Sequence, residues 1–135
     1  MSESRNEYSG TLLVLAGPSG VGKSTIGRKL EEKLPANYII SATTRPYNEE
    51  DDKGKRYEHI DQAEFFHRLD SDQFLEYAQV YSNYYGTPKH PTLDNLADGK
   101  NVLLEIDVQG ALQVKYQFPQ ALLIFILPPD EPISH

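Results

Sequence analysis

One stretch of the chain has the residue types and the spacing of a phosphate-binding loop. Residues 17–24 read G-x-x-x-x-G-K-S. Glycines at these positions let the backbone pass close to phosphate oxygens, so that its N–H groups point at the anion. Lys23 adds a mobile positive charge for the terminal phosphates, and the Ser24 hydroxyl is a ligand for Mg²⁺. The residues predicted to bind ATP in this way are Gly17, Pro18, Ser19, Gly20, Val21, Gly22, Lys23, Ser24 and Thr25.

The segments on either side of this loop support the prediction. An apolar run at 11–16 is typical of a buried strand, and Ile26, Leu30 and Leu34 recur with the period of a helix at 25–34. A strand, a glycine-rich turn and a helix, in that order, form the context in which the motif binds phosphate. The alternative is an ordinary glycine-rich turn, and the flanking strand and helix count against it.

Composition and charge narrow the class of protein. The chain has 135 residues, a net charge of −7 and no cysteine. Its length predicts one domain, and its charge argues against a nucleic-acid binder, which needs clustered Lys and Arg. Its apolar runs are far shorter than the roughly 18 residues of a membrane span, and residues 1–9 lack the apolar core of a signal peptide. We expect a cytoplasmic protein without nucleic-acid or membrane partners, with a disordered lead-in at 1–10.

Hydrophobic patterns and turn residues predict further strands and helices along the chain. Strands are predicted at 38–41, 74–80, 101–107 and 121–127, helices at 61–69, 92–97 and 108–116, and a turn-rich aromatic loop at 83–88. Apolar strands separated by helices indicate a parallel sheet covered on both faces, with the ligand at the carboxyl ends of the strands. We predict an α/β fold in which 11–40 and 92–135 form a doubly wound parallel P-loop sheet, and 41–91 form an inserted small mixed α/β lobe.

Six stretches together resemble guanylate kinase, the P-loop enzyme family that phosphorylates GMP with ATP. Besides the phosphate loop they are SATTR at 41–45, GKRY at 54–57, FLEY at 74–77, NYYGT at 83–87 and LEIDVQG at 104–110. They occur in the order and at the spacing of the family and cover nearly all of 11–129. The resemblance implies that ATP and Mg²⁺ bind at the phosphate loop and that the small-molecule substrate GMP binds in the lobe at 41–91.

The resemblance implies how the guanine base is recognised. Ser41, Glu76 and Thr87 fall where the family contacts guanine. A carboxylate at Glu76 accepts from guanine N1–H and from the 2-amino group together. Adenine lacks this pair of donors and would leave the buried carboxylate unsatisfied, which is a strong form of rejection.

The resemblance also implies which residues hold the GMP phosphate. Arg45, Tyr57 and Tyr85 fall at those positions, where arginine supplies a planar fork of donors and tyrosine a neutral O–H. Arg45 and the phosphate-loop lysine would carry most of the catalytic positive charge. Glu105 and Asp107 fall where the family contacts Mg²⁺-bound water and the acceptor nucleotide, and the division of these two roles stays open.

Each lobe residue also has a purely structural interpretation. Ser41 is a typical turn or cap residue, Glu76 suits an exposed strand face, and Arg45 suits a surface ion pair. Tyr57 and Tyr85 would pack inside the lobe in the same way as other aromatic residues. The register of all these residues with the other matching stretches favours the functional interpretation.

Two departures from the family bear on activity. The family has a second arginine three residues after Arg45, where this chain has Asn48, and Lys55 and Arg56 are candidates to replace it.

The chain also stops before the family's lid, last strand and final helix. One arginine at the transferred phosphate contributes about 10³–10⁵ in rate. We expect a truncated ATP:GMP phosphotransferase with weak activity, an open sheet edge, and a monomeric or weakly dimeric state.

Two other classes of function stay open. A non-catalytic guanylate-kinase-like module would use the lobe to bind protein partners; the missing lid and Asn48 favour it, and the retained Lys23 and Ser24 oppose it. A general P-loop NTPase would hydrolyse ATP whether or not GMP is present. Binding and turnover with both nucleotides distinguish the three classes.

Overall fold

The structure is a computed structural model that describes residues 8–17, 23–49 and 57–126, including their side chains except those of Lys23 and Ser24. These ranges contain eight strands, four helices and two four-stranded sheets. The elements are β1 Leu12–Ala16, α1 Lys23–Lys33, β2 Ala36–Tyr38, β3 Ser41–Thr43, β4 Tyr57–His59, α2 Gln62–Asp70, β5 Phe74–Val80, β6 Asn83–Pro88, α3 Lys89–Ala97, β7 Asn101–Ile106, α4 Val108–Gln117 and β8 Leu122–Phe125.

The core sheet is parallel and has the strand order β2-β7-β1-β8. All five residues of β1 are buried, because β1 has a strand on each side and helices over both faces. Leu13 and Leu15 pack with Ile26 and Leu30 of α1 on one face. The opposite face packs against α3 and α4. This arrangement is the predicted doubly wound sheet, in which long apolar strands are covered on both sides.

The lobe sheet is mixed and has the order β4-β3-β6-β5. β3 is parallel to β4 and antiparallel to β6, and β5 and β6 form an antiparallel hairpin. Phe65 of α2 is fully buried against this sheet, with its ring centroid 4.6 Å from that of Phe74. The lobe therefore has an aromatic core of its own.

Two helices begin at aspartates that cap their first turns. The Asp61 carboxylate accepts from the Glu64 backbone N–H at 2.8 Å, which confirms the capped start predicted for the helix at 61–69. The Asp107 carboxylate accepts from the Gly110 backbone N–H at 3.1 Å. These bonds satisfy backbone donors that have no partner within the helix.

The single strand predicted at 38–41 is wrong, because the chain changes sheets within it. Tyr38 pairs with Leu103 in the core sheet, whereas Ser41 pairs with Tyr57 in the lobe sheet. Of the two residues between them, Ile39 still donates its N–H to the Leu103 carbonyl of the core sheet at 3.2 Å, so the change of sheet follows Ile39. An apolar run indicates extended backbone but does not say to which sheet each residue belongs.

The loop predicted at 83–88 is also wrong, since β6 occupies these residues. Gly86 of this segment lies in the strand, against an aromatic ring. A Cβ built on Gly86 would lie 2.8 Å from Phe74 Cδ1. The glycine therefore permits close approach to the Phe74 ring rather than a turn.

Two element boundaries differ from the prediction as well. The helix predicted at 92–97 begins at Lys89, because Pro91 falls in its first turn, where a missing N–H costs nothing. The strand predicted as buried at 121–127 is β8 at Leu122–Phe125, and half of the Leu122 and Phe125 side chains is exposed. β8 is the outermost strand of the described core sheet, which explains its exposure. No helix among the described residues is long and apolar enough to cross a membrane.

Candidate active site

A cavity of about 520 Å³ lies where the core sheet and the lobe sheet meet. On the core side it is bounded by the carboxyl ends of β1 and β7, which is where doubly wound sheets bind ligands. On the lobe side it is bounded by residues of β3, β4, β5 and β6. Seven residues predicted from the sequence line it: Gly17, Ser41, Tyr57, Glu76, Tyr85, Glu105 and Asp107.

Glu76 presents a buried carboxylate to this cavity. Its side chain lies on β5 and is 5% exposed, and its Oε2 accepts from the Thr87 hydroxyl at 2.6 Å. Burial raises the pKa of Glu76 to about 7; the Thr87 hydrogen bond lowers it, and the nearby Asp107 carboxylate raises it. The site thus holds an acceptor that changes charge near neutral pH.

Thr87 lies behind this carboxylate rather than on the cavity wall. It is fully buried and pairs with Glu76 across the β5–β6 ladder. A threonine opposite the glutamate in an antiparallel pair places its hydroxyl within reach of the carboxylate. The contact that the structure gives to Thr87 is therefore with Glu76.

The first turn of α4 packs directly against the Glu76 carboxylate. A Cβ built on Gly110 would lie 2.9 Å from Glu76 Cδ and closer still to Oε1. Only glycine leaves this space free, so the turn capped by Asp107 can approach the carboxylate. Gly110 was not among the predicted site residues, although a glycine inside a predicted helix is a signal of close packing or function.

Aromatic and cationic groups form another wall of the lobe. The Tyr57 and Tyr85 rings meet edge to face, with centroids 5.7 Å apart. The Arg45 guanidinium lies 5.5 Å from the centroid of the Tyr57 ring, next to the cavity lining. His59 Nδ1 donates to the Arg45 carbonyl at 2.6 Å. The structure brings all three residues predicted to hold the GMP phosphate to one side of the lobe.

Glu105 and Asp107 point to different parts of the site. The Tyr38 hydroxyl donates to Glu105 Oε1 at 3.0 Å, and a Cβ built on Gly27 of α1 would lie 2.9 Å from the same oxygen. Glu105 therefore lies beside α1, the helix that follows the phosphate loop. Asp107 caps α4 and lies near Glu76, on the lobe side of the cavity.

Several predicted residues fall outside the described part of the chain. These are Pro18, Ser19, Gly20, Val21 and Gly22 of the phosphate loop, and Lys55 and Arg56, the candidates to replace the second arginine. The side chains of Lys23 and Ser24 are likewise not described. The order of the flanking elements is confirmed, since β1 ends just before Gly17 and α1 begins at Lys23, with Thr25 exposed in its first turn.

One carboxylate lies beside α1, and carboxylate oxygens are of the type that magnesium binds. Within the described ranges, no three His, Asp or Glu side chains come together to hold a metal. Mg²⁺ takes one or two carboxylates and completes its shell with water and substrate phosphates, so a dedicated cluster is not required. Glu105 supplies one such carboxylate beside α1.

The cavity also has an apolar wall that was not predicted from the sequence. Val108 and Leu112 lie one turn apart on the exposed face of α4 and line the cavity together with Val80 and Ile106. Their spacing of four residues was visible in the sequence, but it did not reveal that the face turns toward the lobe. An apolar wall beside Glu76 suits a flat heteroaromatic ring.

Comparisons with known proteins agree on one family. The sequence model of the family described as guanylate kinase matches residues 9–133. The guanylate kinase of Gloeobacter violaceus is 55% identical over 120 residues, which are 88% of this chain and 58% of that protein. The guanylate kinase of Syntrophomonas wolfei is 51% identical over 122 residues, 90% of this chain and 63% of that protein.

A solved structure gives the same result for the fold. The crystal structure of guanylate kinase from Anaplasma phagocytophilum matches with a TM-score of 0.78 and 35% sequence identity, over 91% of this chain and 63% of that one. The chain thus spans roughly three fifths of the length of the relatives that it matches.

Proposed function

Because the chain belongs to the guanylate kinase family, we propose that it transfers the γ-phosphate of ATP to GMP, giving ADP and GDP. The observation that carries this proposal is the cavity between the two sheets. It joins a buried carboxylate and two tyrosines of the lobe to the carboxyl ends of β1 and β7 in the core. A cavity of this kind suits an enzyme that holds two nucleotides with their phosphates facing each other.

In this proposal Glu76 recognises guanine. Its ionised carboxylate accepts from guanine N1–H and the 2-amino group, while Thr87 fixes the carboxylate from behind and Ser41 adds a hydroxyl at the cavity wall. The apolar side chains of α4 would lie against the ring. An adenine base would leave the carboxylate without its donors, at a cost that a buried group makes large.

Arg45, Tyr57 and Tyr85 hold the phosphate of GMP. Their placement on one side of the lobe gives that phosphate a cation and two neutral O–H donors. Asn48, three residues after Arg45, has no charge to add. Arg45 is therefore the main lobe cation for the GMP phosphate among the residues that the structure describes.

The ATP phosphates bind at residues 17–25, with Lys23 on the terminal phosphates and Ser24 as a magnesium ligand. Mg²⁺, when bound, neutralises charge on the β- and γ-phosphates. Glu105, which lies beside α1, would hold magnesium-bound water, and Asp107, which caps α4, would face the acceptor nucleotide. An oxygen of the GMP phosphate attacks the γ-phosphorus, the bond to the β-phosphate oxygen breaks, and ADP leaves, so no protein nucleophile is needed.

The test is ADP release from ATP and Mg²⁺ with and without GMP. We expect GMP to stimulate ADP release, and Lys23→Ala to reduce the stimulated rate by about a hundredfold or more, because it removes a cation from the transferred group. Lys33→Ala, at the exposed far end of the same helix, is the matched control and keeps the wild-type rate.

The other outcomes separate the alternative functions. ADP release that is indifferent to GMP would make the protein a general NTPase. Folded protein without turnover above the Lys23→Ala level would contradict the kinase proposal, and it would leave the non-catalytic binding module as the better interpretation.

A further inference from the structure

A row of glutamines on α4 contacts the backbone of the strand that carries Glu76. Among the described residues, β5 is the outer strand of the lobe sheet, and its outward N–H and C=O groups have no neighbouring strand. Glutamine side chains of α4 make the hydrogen bonds that a neighbouring strand would otherwise make with this edge of β5. Gln109 Nε2 donates to the Gln79 carbonyl at 3.2 Å, and Gln117 Nε2 donates to the Leu75 carbonyl at 2.8 Å. Gln113 makes two bonds to one residue: its Nε2 donates to the Tyr77 carbonyl at 2.7 Å, and its Oε1 accepts from the Tyr77 N–H at 3.3 Å.

The spacing of this row follows from the geometry of a helix and a strand. Four residues of an α-helix rise about 6 Å. Two residues of a strand rise about 6.6 Å, and alternate residues direct their backbone groups to the same edge. A glutamine at every fourth position of α4 therefore meets every second residue of β5, in antiparallel order. Each amide carries both a donor and an acceptor, as a strand would.

The bonded carbonyls lie on either side of Glu76. Leu75 and Tyr77 are its direct neighbours in β5, and both accept from glutamines of α4. Between these glutamines and the start of the helix lies Gly110, which contacts the Glu76 carboxylate. One helix thus holds the backbone around Glu76 and also limits where its carboxylate can lie.

We propose that Gln109, Gln113 and Gln117 form a positioning row that sets how the Glu76 carboxylate meets the guanine base. The inference rests on the proposed function, because it concerns recognition of GMP. Gln113 is the central member, since it bonds both the N–H and the carbonyl of Tyr77. Loss of this pair would let β5 shift along α4 and would spoil the simultaneous fit of the carboxylate to two guanine donors.

The test compares GMP with IMP, which keeps N1–H but lacks the 2-amino group. Dissociation constants for GMP, IMP and ATP are measured by calorimetry on the 135-residue chain and on Gln113→Met, which keeps the side-chain length but removes the amide. We expect the preference for GMP over IMP to fall about fivefold or more, as loss of a hydrogen bond would do, with ATP binding unchanged. Gln62→Met, the same change at an exposed position of α2, keeps the wild-type preference.

The outcomes distinguish this inference from the function on which it rests. Wild-type protein that does not bind GMP would contradict the proposed function. Wild-type preference for GMP that persists in folded Gln113→Met would overturn the positioning row, as would equal weakening of GMP and IMP, which a merely structural role predicts. If Gln113→Met does not fold, the ratio is measured in Gln117→Met, which removes only the bond to Leu75, and an unchanged ratio there overturns the inference.

Discussion

The chemistry of Glu76 depends on its surroundings rather than on its place in the sequence. Its carboxylate is buried, bonded to Thr87 on one side and pressed against Gly110 on the other. Buried carboxylates avoid ionisation unless donors reach them. A ligand that brings two N–H donors supplies what the buried carboxylate lacks, which is why the proposed function assigns the recognition of guanine to Glu76.

The raised pKa of Glu76 predicts a pH-dependent stability. In the folded protein its pKa is about 7, above the ordinary value of 4.5, so folding favours the protonated form. The stabilising contribution is complete below pH 4.5 and is lost as the pH rises through 7, and it amounts to roughly 2–4 kcal/mol. Melting temperatures from pH 4.5 to 8 should therefore fall more steeply for wild type than for Glu76→Gln. Parallel curves for the two proteins would contradict this assignment.

Alanine substitutions at Gly110 and Gly27 should have opposite effects on the binding of GMP and ATP. Alanine at a helical glycine normally stabilises by up to about 1 kcal/mol. At Gly110 the new methyl group would meet the Glu76 carboxylate, and at Gly27 it would meet the Glu105 carboxylate. We expect Gly110→Ala to weaken GMP binding about tenfold or more while ATP binding is unchanged, and Gly27→Ala to do the reverse.

Calorimetric titration of both variants with each nucleotide checks this prediction, and each variant is the control for the other. If both variants lose both nucleotides equally, the two carboxylates do not serve separate ligands. Neither glycine could be assigned to a carboxylate from the sequence, because each meets a side chain more than thirty positions away.

Among the helices and strands, the elements with a strong local signal were predicted well. Asp61 with Glu64 marks the start of α2, and the β5 strand at 74–80 was placed with its observed bounds. The misassigned elements lacked such a signal. Tyr38 and Ser41 fall within one predicted strand but pair in different sheets. Glycine is common in turns, but Gly86 lies in a strand and permits close contact with the Phe74 ring. Local patterns carry no information about a distant partner.

The capped start of α2 gives a simple stability prediction. Asp61→Ala removes the acceptor for the Glu64 N–H and should lower the free energy of unfolding by about 1 kcal/mol. Asp70→Ala, at the opposite end of the same helix, is the control and should be neutral or slightly stabilising, because a negative charge there opposes the helix dipole. Urea titration measures both. Equal losses in the two variants would show that the effect is not one of capping.

For the molecule as a whole, the cavity was predictable only in part. The carboxyl ends of β1 and β7 follow from the doubly wound pattern, and the lobe residues followed from the resemblance to a family. Glu105 lies beside α1, whereas Asp107 caps α4. Their places in the cavity therefore depend on how these two helices pack, which the sequence pattern does not show. The apolar wall of α4 depends on how that helix meets the lobe.

Because β8 is an exposed outer strand of the core sheet, we expect the 135-residue chain to self-associate. In the described part of the chain β8 pairs only with β1, and Leu122, Ile124 and Phe125 are exposed. Exposed apolar strands at a sheet edge pair with other copies. We expect the sedimentation coefficient of the wild-type protein to rise with protein concentration. Ile124→Lys should suppress this rise. Tyr116→Lys, at an exposed residue of α4, is the control and should leave it in place. A concentration-independent coefficient for wild type would contradict the prediction.

The parallel ladders of β1 also constrain the order in which the chain can fold. Leu12 pairs with Val102, and Leu13 with Leu122, so both neighbours of β1 come about ninety residues or more later in the chain. The strands β3 to β6 find their partners within a much shorter span. Contacts between distant residues form slowly, because a long loop must close first. During synthesis, β3 to β6 would therefore be available to pair with one another before β7 and β8 exist, so β1 would be among the last of the described strands to be paired.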